Sequence, residues 1–570
     1  MSSSVVALDI DLDTRPDRDA RALLALSLVL ASLLLIPALR TSLWGSEGRW
    51  LVVAREMARS GDALTMVLGD DEYAAKPFGS YWLVIGAAKL LGGFTEVAGR
   101  LPGVVAYVAT LIVTYVLGCR TLGARTGALA ALLLAASARM LVLAGTASAD
   151  PQQRLGLTVA LLLLLEAFES GRLRDFLLLG VVAGLTTQMK GLPGLALPGF
   201  AAVLWALLVR GPRWLVHGGA LLGALTGLAL AFAPYLVARG VHGDWNALGM
   251  LWHESVLRAL EPFDHVEPWW FYLSNQFVLL TAWSMLLPAA LLYAVRRLRS
   301  PESDERGWWQ RLRASEPLRR AAFPLFAYLA VLLFFGLSAS RRSYYLMPIA
   351  PFAALLVADV LLAAPAGLTG LLRRSGLGLL GVSSLALGLL TLTYFAVRPW
   401  ITVAPASLTA LLPDLEPLWP RLPVWLVATA LAILPAVALL RASLTPRMLV
   451  VCVGATLAQL ALLSIFMTMH LRSDLDPLPR FAAAVRAIAP PAELAGLEEA
   501  SGSRLRFYLD PPPGPQPSAP RFRIVSADRL SAVLAAEPEW RRVDSPLLDA
   551  AAWPAGESKG YTLLERRTAP

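Results

Sequence analysis

Long apolar runs recur along this chain, near 22–39, 101–118, 125–145, 155–170, 174–189, 192–209, 214–238, 276–295, 321–338, 344–364, 376–396, 422–440 and 447–468. Roughly 20 apolar residues span a bilayer core as a helix. Inside the core every backbone polar group must be paired within the protein, so continuous runs demand helices, whereas barrel strands alternate apolar and polar residues. The expected fold class is an all-α polytopic membrane protein with about 13 transmembrane helices by hydropathy. Only the split between 174–189 and 192–209 rests on a short signal, Lys190-Gly191-Leu192-Pro193. Composition agrees: 56% of residues are apolar and 16% charged, against about 45–50% and about 25% in soluble domains. A soluble enzyme and a disordered chain are both excluded.

Arginine placement sets the expected orientation. Arg15, Arg18 and Arg21 precede the first run, and the alternate connections carry Arg120 and Arg125, Arg172 and Arg174, Arg210 and Arg213, Arg296 to Arg320, Arg373 and Arg374, and Arg441 and Arg447. Cytoplasmic loops are enriched in arginine and lysine, so the N-terminus is expected in the cytoplasm. An odd number of crossings then places the tail in the periplasm, and the chain is expected in a bacterial inner membrane. Lysine occurs only at 76, 89, 190 and 559. The net charge of +9 resides in arginines between apolar runs. Its counter-charge is lipid headgroups, not nucleic acid. Cys119 and Cys452 lie far apart at or inside apolar runs and read as packing residues, not a disulfide framework.

Residues 1–21 are a polar cytoplasmic tail without a cleavage-site pattern, so 22–39 reads as an uncleaved anchor. Residues 22–469 form the membrane domain, with outer loops at 40–100 and 239–275. Residues 470–570 have ordinary polarity. Short apolar runs at Arg521–Val525 and Tyr561–Leu564, with a helical pattern over Pro479–Ile488, predict a small α/β domain. In the first loop, Trp50, Ala54, Met57 and Ala58 recur at helical spacing, as do Phe78, Tyr81, Trp82 and Ile85, which predicts two interfacial helices. The Asp70-Asp71-Glu72 turn between them reads as solvated.

Charges at the span ends carry the functional signal. Glu47 follows the first span, Asp150 precedes the fourth, and Lys76 precedes an interfacial helix. Arg258, Arg341 and Arg342 stand on the outer side, against the charge bias. A lipid phosphate at the outer face accounts for such cations, and so does snorkelling to phospholipid headgroups. His253 and His265 have no partner at ligand spacing, so no metal site is expected.

These residues resemble a known family. Ser46-Glu47-Gly48-Arg49-Trp50 with Ala54–Asp62 looks like the first-loop signature of the bacterial polyprenyl-phosphate-sugar-dependent membrane glycosyltransferases, the group that includes the protein O-mannosyltransferase-like and lipid A aminoarabinose transferase-like enzymes. Lys76-Pro77 with Tyr81-Trp82 is similar to the family's Lys-Pro-Pro…Tyr-Trp motif, and Lys190-Gly191 with Leu197-Pro198-Gly199 to its next landmark. His253–Arg258, His265 and Pro268-Trp269 resemble the second loop, and Ser338 to Pro348 the Ser-Ser-Lys-Arg…Tyr…Leu-Pro motif. Each motif is weak alone, but they occur in order over about residues 40–350.

The resemblance implies the type-C glycosyltransferase (GT-C) fold, with an outer cavity roofed by the interfacial helices. It also implies a sugar donor linked to undecaprenyl phosphate and a glycan, lipid (lipid A among them) or protein acceptor. Lys76, Arg258 and Tyr345 match the positions that hold the lipid phosphate. Arg49, Trp82, His265, Arg341 and Arg342 are expected around the substrates. Glu47 and Asp150 are the expected catalytic carboxylates, and one displacement with one base inverts the anomeric centre. The family carries Asp-Glu where this chain has Ser46-Glu47. Either Glu47 takes the base role, or Asp150 does, or an ionised acceptor needs none. No cofactor beyond the lipid-linked donor is expected. A divalent cation, used by distant relatives of this architecture, is not required, and a monomer suffices. Two other readings fit the same outer charges: a lipid or sugar exporter, and a non-catalytic assembly subunit.

Overall fold

The computed structural model describes residues 18–382 apart from breaks at 40, 69–70, 74–75, 244–245, 258–260, 262–265, 300–306, 364 and 380–381, and in the tail 476–495, 502–510, 520–550 and 560–567. The expected crossings 422–440 and 447–468, and 376–396 from 383 onward, lie outside the described residues. The first span, α1 (Arg18–Leu39), leads into two loop helices, α2 (Glu47–Ser60) and α3 (Phe78–Leu91). Then come α4 (Glu96–Thr121), α5 (Ala124–Ala135), α6 (Ala138–Ala144), α7 (Asp150–Ser170), α8 (Leu173–Lys190), α9 (Pro193–Trp205) and α10 (Gly218–His242). Glu316–Gly336 and Ser343–Ala363 follow later in the chain. Among the described residues, six helices are long and apolar enough to cross a membrane, or eight if each of two bent pairs counts as one span.

Local chemistry sets these boundaries. Thr95 starts α4 by accepting a hydrogen bond from the Ala98 amide at 3.2 Å. The apolar stretch from 174 to 209 is broken where expected, because Gly191 adopts φ +118° and Pro193 opens α9. Two expected crossings differ from straight rods. Run 125–145 is α5 and α6, bent by 67°, and run 276–295 is bent by 117° between Phe271–Val278 and Trp283–Arg299. Hydropathy reports how apolar a segment is, not the direction of its axis. At the first bend, the Ser137 hydroxyl donates to the Leu279 carbonyl at 2.6 Å, so a polar side chain fixes the corner.

Close packing joins the bundle. A side chain on Gly180 of α8 would collide with the Gly223 carbonyl of α10, and one on Gly118 of α4 with Gly127 of α5. Small residues at such crossings let backbones approach without a water-driven hydrophobic effect. At one end of the bundle, Glu169 meets Arg319 at 2.6 Å and Arg210 at 3.4 Å. Glu166 there meets Arg320 at 2.9 Å and Arg120 at 3.5 Å. Arginines expected on the same membrane side thus gather at one end.

The tail forms a four-stranded sheet in the order Leu494–Ala495, Phe522–Ser526, Tyr561–Arg566, Trp540–Arg542, with the first pair parallel and the others antiparallel. Helices Leu478–Ile488 and Gly502–Leu509 pack on it through a core that includes Phe481, Val485, Leu505, Ile524 and Leu563.

Candidate functional site

The first loop folds because its two helices share one apolar cluster. Leu51, Val52 and Met57 of α2 pack with Phe78, Tyr81 and Val84 of α3, with Tyr235 and Ala238 of α10, and with Phe507 of the tail. Trp50 and Tyr81 add a ring contact at 5.1 Å. This roof covers a cavity of about 990 Å³. Trp44, Ser46 and Arg49 line it from the start of α2, Tyr73, Lys76 and Tyr81 from the approach to and first turn of α3, and Asp150 and Gln153 from α7. Lys190 enters from the end of α8, Glu254 from the second loop, and Arg342, Tyr344 and Tyr345 from the segment before Ala350.

The charges inside are arranged in pairs. Asp150, the first residue of α7, contacts the Lys190 ammonium directly, and the two side chains are 15% and 12% exposed. That ammonium also lies 4.7 Å from the ring centroid of Tyr344 and 4.9 Å from that of Tyr345. Two aromatic faces and a carboxylate thus seat one cation. Lys76 reaches Glu254 at 2.9 Å. Arg49 donates to the Tyr73 hydroxyl at 3.3 Å, and Arg342 to the Tyr344 hydroxyl at 2.7 Å. Burial raises the Tyr73 phenol above its ordinary value despite Arg49 beside it, with Glu254 adding to the rise, so the hydroxyl stays protonated. Four cations (Arg49, Lys76, Lys190, Arg342) face two carboxylates (Asp150, Glu254) in the lining, which favours an anionic ligand. Each carboxylate is paired with a lysine, and among the described residues no three His, Cys, Asp or Glu side chains gather to hold a metal ion.

Glu47 stands apart from the cavity lining. Its side chain is 0% exposed and forms a two-pronged pair with Arg100, also 0% exposed, at 2.8 and 2.7 Å. It further accepts the Trp44 amide at 2.9 Å and the Ala147 amide at 2.7 Å. Both oxygens are occupied, and neither faces the cavity lining. Glu47 thus ties the rim of the first loop to the segment before Asp150. Ser46, at the position of the family's aspartate, does line the cavity. Trp82 also departs from its expected role: it is exposed, and its indole donates to the Ala63 carbonyl at 2.8 Å outside the lining. Arg341 likewise turns from the cavity, donating to the carbonyls of Glu267 and Gly336. Arg258 and His265 lie outside the described residues.

Asp150, Lys76, Tyr345, Arg49 and Arg342 are therefore brought together from four segments. Lys190, quoted above only as a landmark, is an unforeseen member. Outside the lining, Arg100 is an unforeseen partner of Glu47, 53 residues away in sequence. The signals were present: Lys190 is one of four lysines, and Arg100 precedes the run at 101–118. One turn along from Asp150, Arg154 is buried against the Tyr107 ring at 5.9 Å, a cation within an expected span.

Comparison with known proteins agrees with this architecture. The profile of a family described as dolichyl-phosphate-mannose-protein mannosyltransferase matches residues 75–237. The chain is 30% identical over 376 residues to the undecaprenyl phosphate-alpha-4-amino-4-deoxy-L-arabinose arabinosyl transferase of Pseudomonas aeruginosa, and the alignment spans 64% of this chain and 64% of that protein. A protein of the same name from Erwinia tasmaniensis is 29% identical over 346 residues, 59% of each chain. Among solved structures, ArnT from Cupriavidus metallidurans bound to undecaprenyl phosphate superposes with a TM-score of 0.69 at 19% identity, covering 95% of this chain and 97% of that one. The Archaeoglobus fulgidus oligosaccharyltransferase gives 0.50 at 13% identity, covering 91% and 70%. The chain has the type-C glycosyltransferase fold, and its resemblance to the lipid-phosphate-sugar glycosyltransferase superfamily holds in both sequence and architecture.

Proposed function

We propose that this protein transfers a sugar from an undecaprenyl-phosphate-linked donor to a lipid, glycan or protein acceptor at the outer face of the inner membrane. One observation carries the reading: a roofed cavity gathers Lys76, Lys190, Arg49, Asp150, and the pair Arg342 and Tyr345, from five segments. The relatives' names supply the donor class, an undecaprenyl phosphate-linked aminoarabinose.

The reaction follows from the arrangement. The bond from the sugar's anomeric carbon to the phosphate oxygen breaks, and the electron pair leaves with the lipid phosphate. Lys76 and the Tyr345 hydroxyl, with Arg258 as the resemblance assigns it, neutralise the charge that develops there. The acceptor oxygen attacks from the opposite side, which inverts the anomeric centre. Asp150 takes the acceptor's proton, and Lys190, held by the faces of Tyr344 and Tyr345, orients that carboxylate. Arg49 and Arg342 supply further positive charge for the substrates. Ser46 leaves the first-loop rim without the family's aspartate, and of the two carboxylates in the lining, Asp150 and Glu254, the reading assigns the base to Asp150, because Glu254 pairs with the phosphate-binding Lys76.

In the same reading, 1–21 is cytoplasmic, 22–469 is the membrane domain and 470–570 lies in the periplasm. The arginines that meet Glu166 and Glu169 at one end of the bundle support this orientation. A monomer suffices for this reading. Transfer of radiolabelled aminoarabinose from undecaprenyl phosphate to lipid A by the purified protein is the test. Label appearing in the acceptor with wild-type protein, and not with Asp150→Asn, supports the reading. An intact donor after incubation with wild-type protein and each acceptor class contradicts it.

A further inference from the structure

The tail is bound to the cavity rim by a set of polar contacts that the reaction described above does not use. Helix Gly502–Leu509 lies across α2. Its last carbonyls, those of Arg506 and Phe507, accept hydrogen bonds from Arg55 of α2 at 3.1 and 3.0 Å. Arg55 is 4% exposed and also pairs with Asp510 at 2.6 Å. Asp510, at φ +52°, turns the chain back at the helix end, where it meets Arg59 as well, at 2.7 Å. A planar guanidinium that caps two carbonyls and a carboxylate fixes the end of one helix against another. The crossing is tight, since a Cβ on Gly48 would stand 2.7 Å from the backbone of Ser503 and Arg504.

Tyr508 connects this seam to the site. Its hydroxyl accepts the Leu43 amide at 2.8 Å. The next residues, Trp44 to Ser46, line the cavity. On their other side, the Trp44 amide is held by Glu47. The rim therefore hangs between two anchors, one inside the membrane domain and one in the tail.

We propose that the tail domain positions the cavity rim, with Tyr508 and Arg55 as positioning residues that set where Trp44 and Ser46 stand relative to the bound substrates. The role in catalysis rests on the transferase reading, whereas the positioning itself does not. Tyr508 touches no reacting atom and acts through the Leu43 amide. Removing its hydroxyl frees the rim at one anchor while leaving the ring, the Arg55 cap and the lipid-phosphate cradle in place.

The test uses the full chain in mild detergent. Hydrogen exchange of the rim amides is measured in wild type, Tyr508→Phe, Arg55→Lys and Arg59→Ala, alongside undecaprenyl phosphate binding and turnover. Tyr508→Phe is expected to speed exchange at Leu43 about tenfold, the effect of losing one buried hydrogen bond. Turnover falls by a similar factor, while undecaprenyl phosphate binding is unchanged. Arg55→Lys, which keeps the charge but not the fork, shows a smaller change of the same kind, and Arg59→Ala shows none. Unchanged Leu43 exchange in Tyr508→Phe overturns the proposal, as does a uniform rise in exchange throughout α2 and the tail, which marks general loosening. If wild-type protein neither binds undecaprenyl phosphate nor turns over, the transferase reading fails, and the exchange data still decide whether the tail positions the rim.

Discussion

The membrane bundle and the roof above it are held together by different physics. In the bundle, contact depends on small residues, as where Gly180 of α8 meets Gly223 of α10 with no space for a side chain. In the roof, an apolar cluster is joined by directional polar contacts: Glu47 with Arg100, and Arg55 with the end of the tail helix. A small-residue crossing tolerates only what fits, yet carries no directional information. A two-pronged ion pair specifies direction and register. The cavity lies at the junction, where the bundle supplies Asp150 and Lys190 and the roof supplies Arg49 and Lys76. The proposed lipid-linked headgroup, charged and water-facing above an apolar tail, draws on both.

Substitutions on the two sides of this junction should separate in kind as well as size. The largest effect is expected from Asp150→Asn, which removes the proposed base: turnover falls by about 10²–10⁴-fold, with undecaprenyl phosphate binding and melting temperature kept. Equal loss of binding and turnover there would make Asp150 structural instead. Glu47→Gln is next. It leaves the buried Arg100 charge without its carboxylate, and breaking such a pair costs about 3–5 kcal/mol. The expected outcome is a lower melting temperature with binding and turnover lost together. Turnover lost at unchanged stability would restore Glu47 as the base.

In the bundle, Gly180→Ala should destabilise by about 1–3 kcal/mol, because the added methyl meets backbone that cannot yield. Its surviving folded fraction should turn over normally, in contrast to Asp150→Asn, and active-site titration against thermal melting distinguishes the two. The smallest effect lies at the roof's edge, where Asp62 pairs with His242 at 3.0 Å. Although burial opposes it, hydrogen bonds from Leu64 and Thr65, with His242 nearby, hold the Asp62 carboxyl below its ordinary value. A carboxyl lowered in the folded state stabilises above the unfolded value of about 3.9, and the gain is lost as pH falls through the folded value. Asp62→Asn should therefore melt below wild type at neutral pH, by an amount equivalent to less than about 1 kcal/mol for a partly exposed pair. The gap should close in acid. A gap independent of pH would show that Asp62 acts through packing.

Much of the bundle was legible because apolar length and helix-ending residues are local signals. The break at Lys190–Pro193 and the helix over Glu47–Ser60 follow from a few adjacent residues each. Asp150, Lys76 and Arg342 were legible as charges at span ends, Arg49 and Tyr345 only through the family resemblance, and all five line one cavity. Orientation was not legible. Glu47 and Asp150 look alike in the sequence, each a carboxylate at a helix start, but one turns into Arg100 and the other toward Lys190. Their partners lie 53 and 40 residues away, and no local pattern marks which residue a carboxylate will find across such distances. Trp82 misled for the same reason: an aromatic on an amphipathic helix faces the cavity or the interface according to one turn of rotation. The clamp between Arg55 and the tail spans 451 residues to Arg506 and 452 to Phe507, and it engages backbone carbonyls that carry no sequence signature.

The central claim is that the roofed cavity holds a polyprenyl phosphate. Native mass spectrometry of the full chain in mild detergent, with undecaprenyl phosphate added, tests it most directly. Wild type and Asp150→Asn should each carry one undecaprenyl phosphate, and Lys76→Ala should lose most of it. Bulk phospholipid alone on wild-type protein, even in excess undecaprenyl phosphate, would contradict the account.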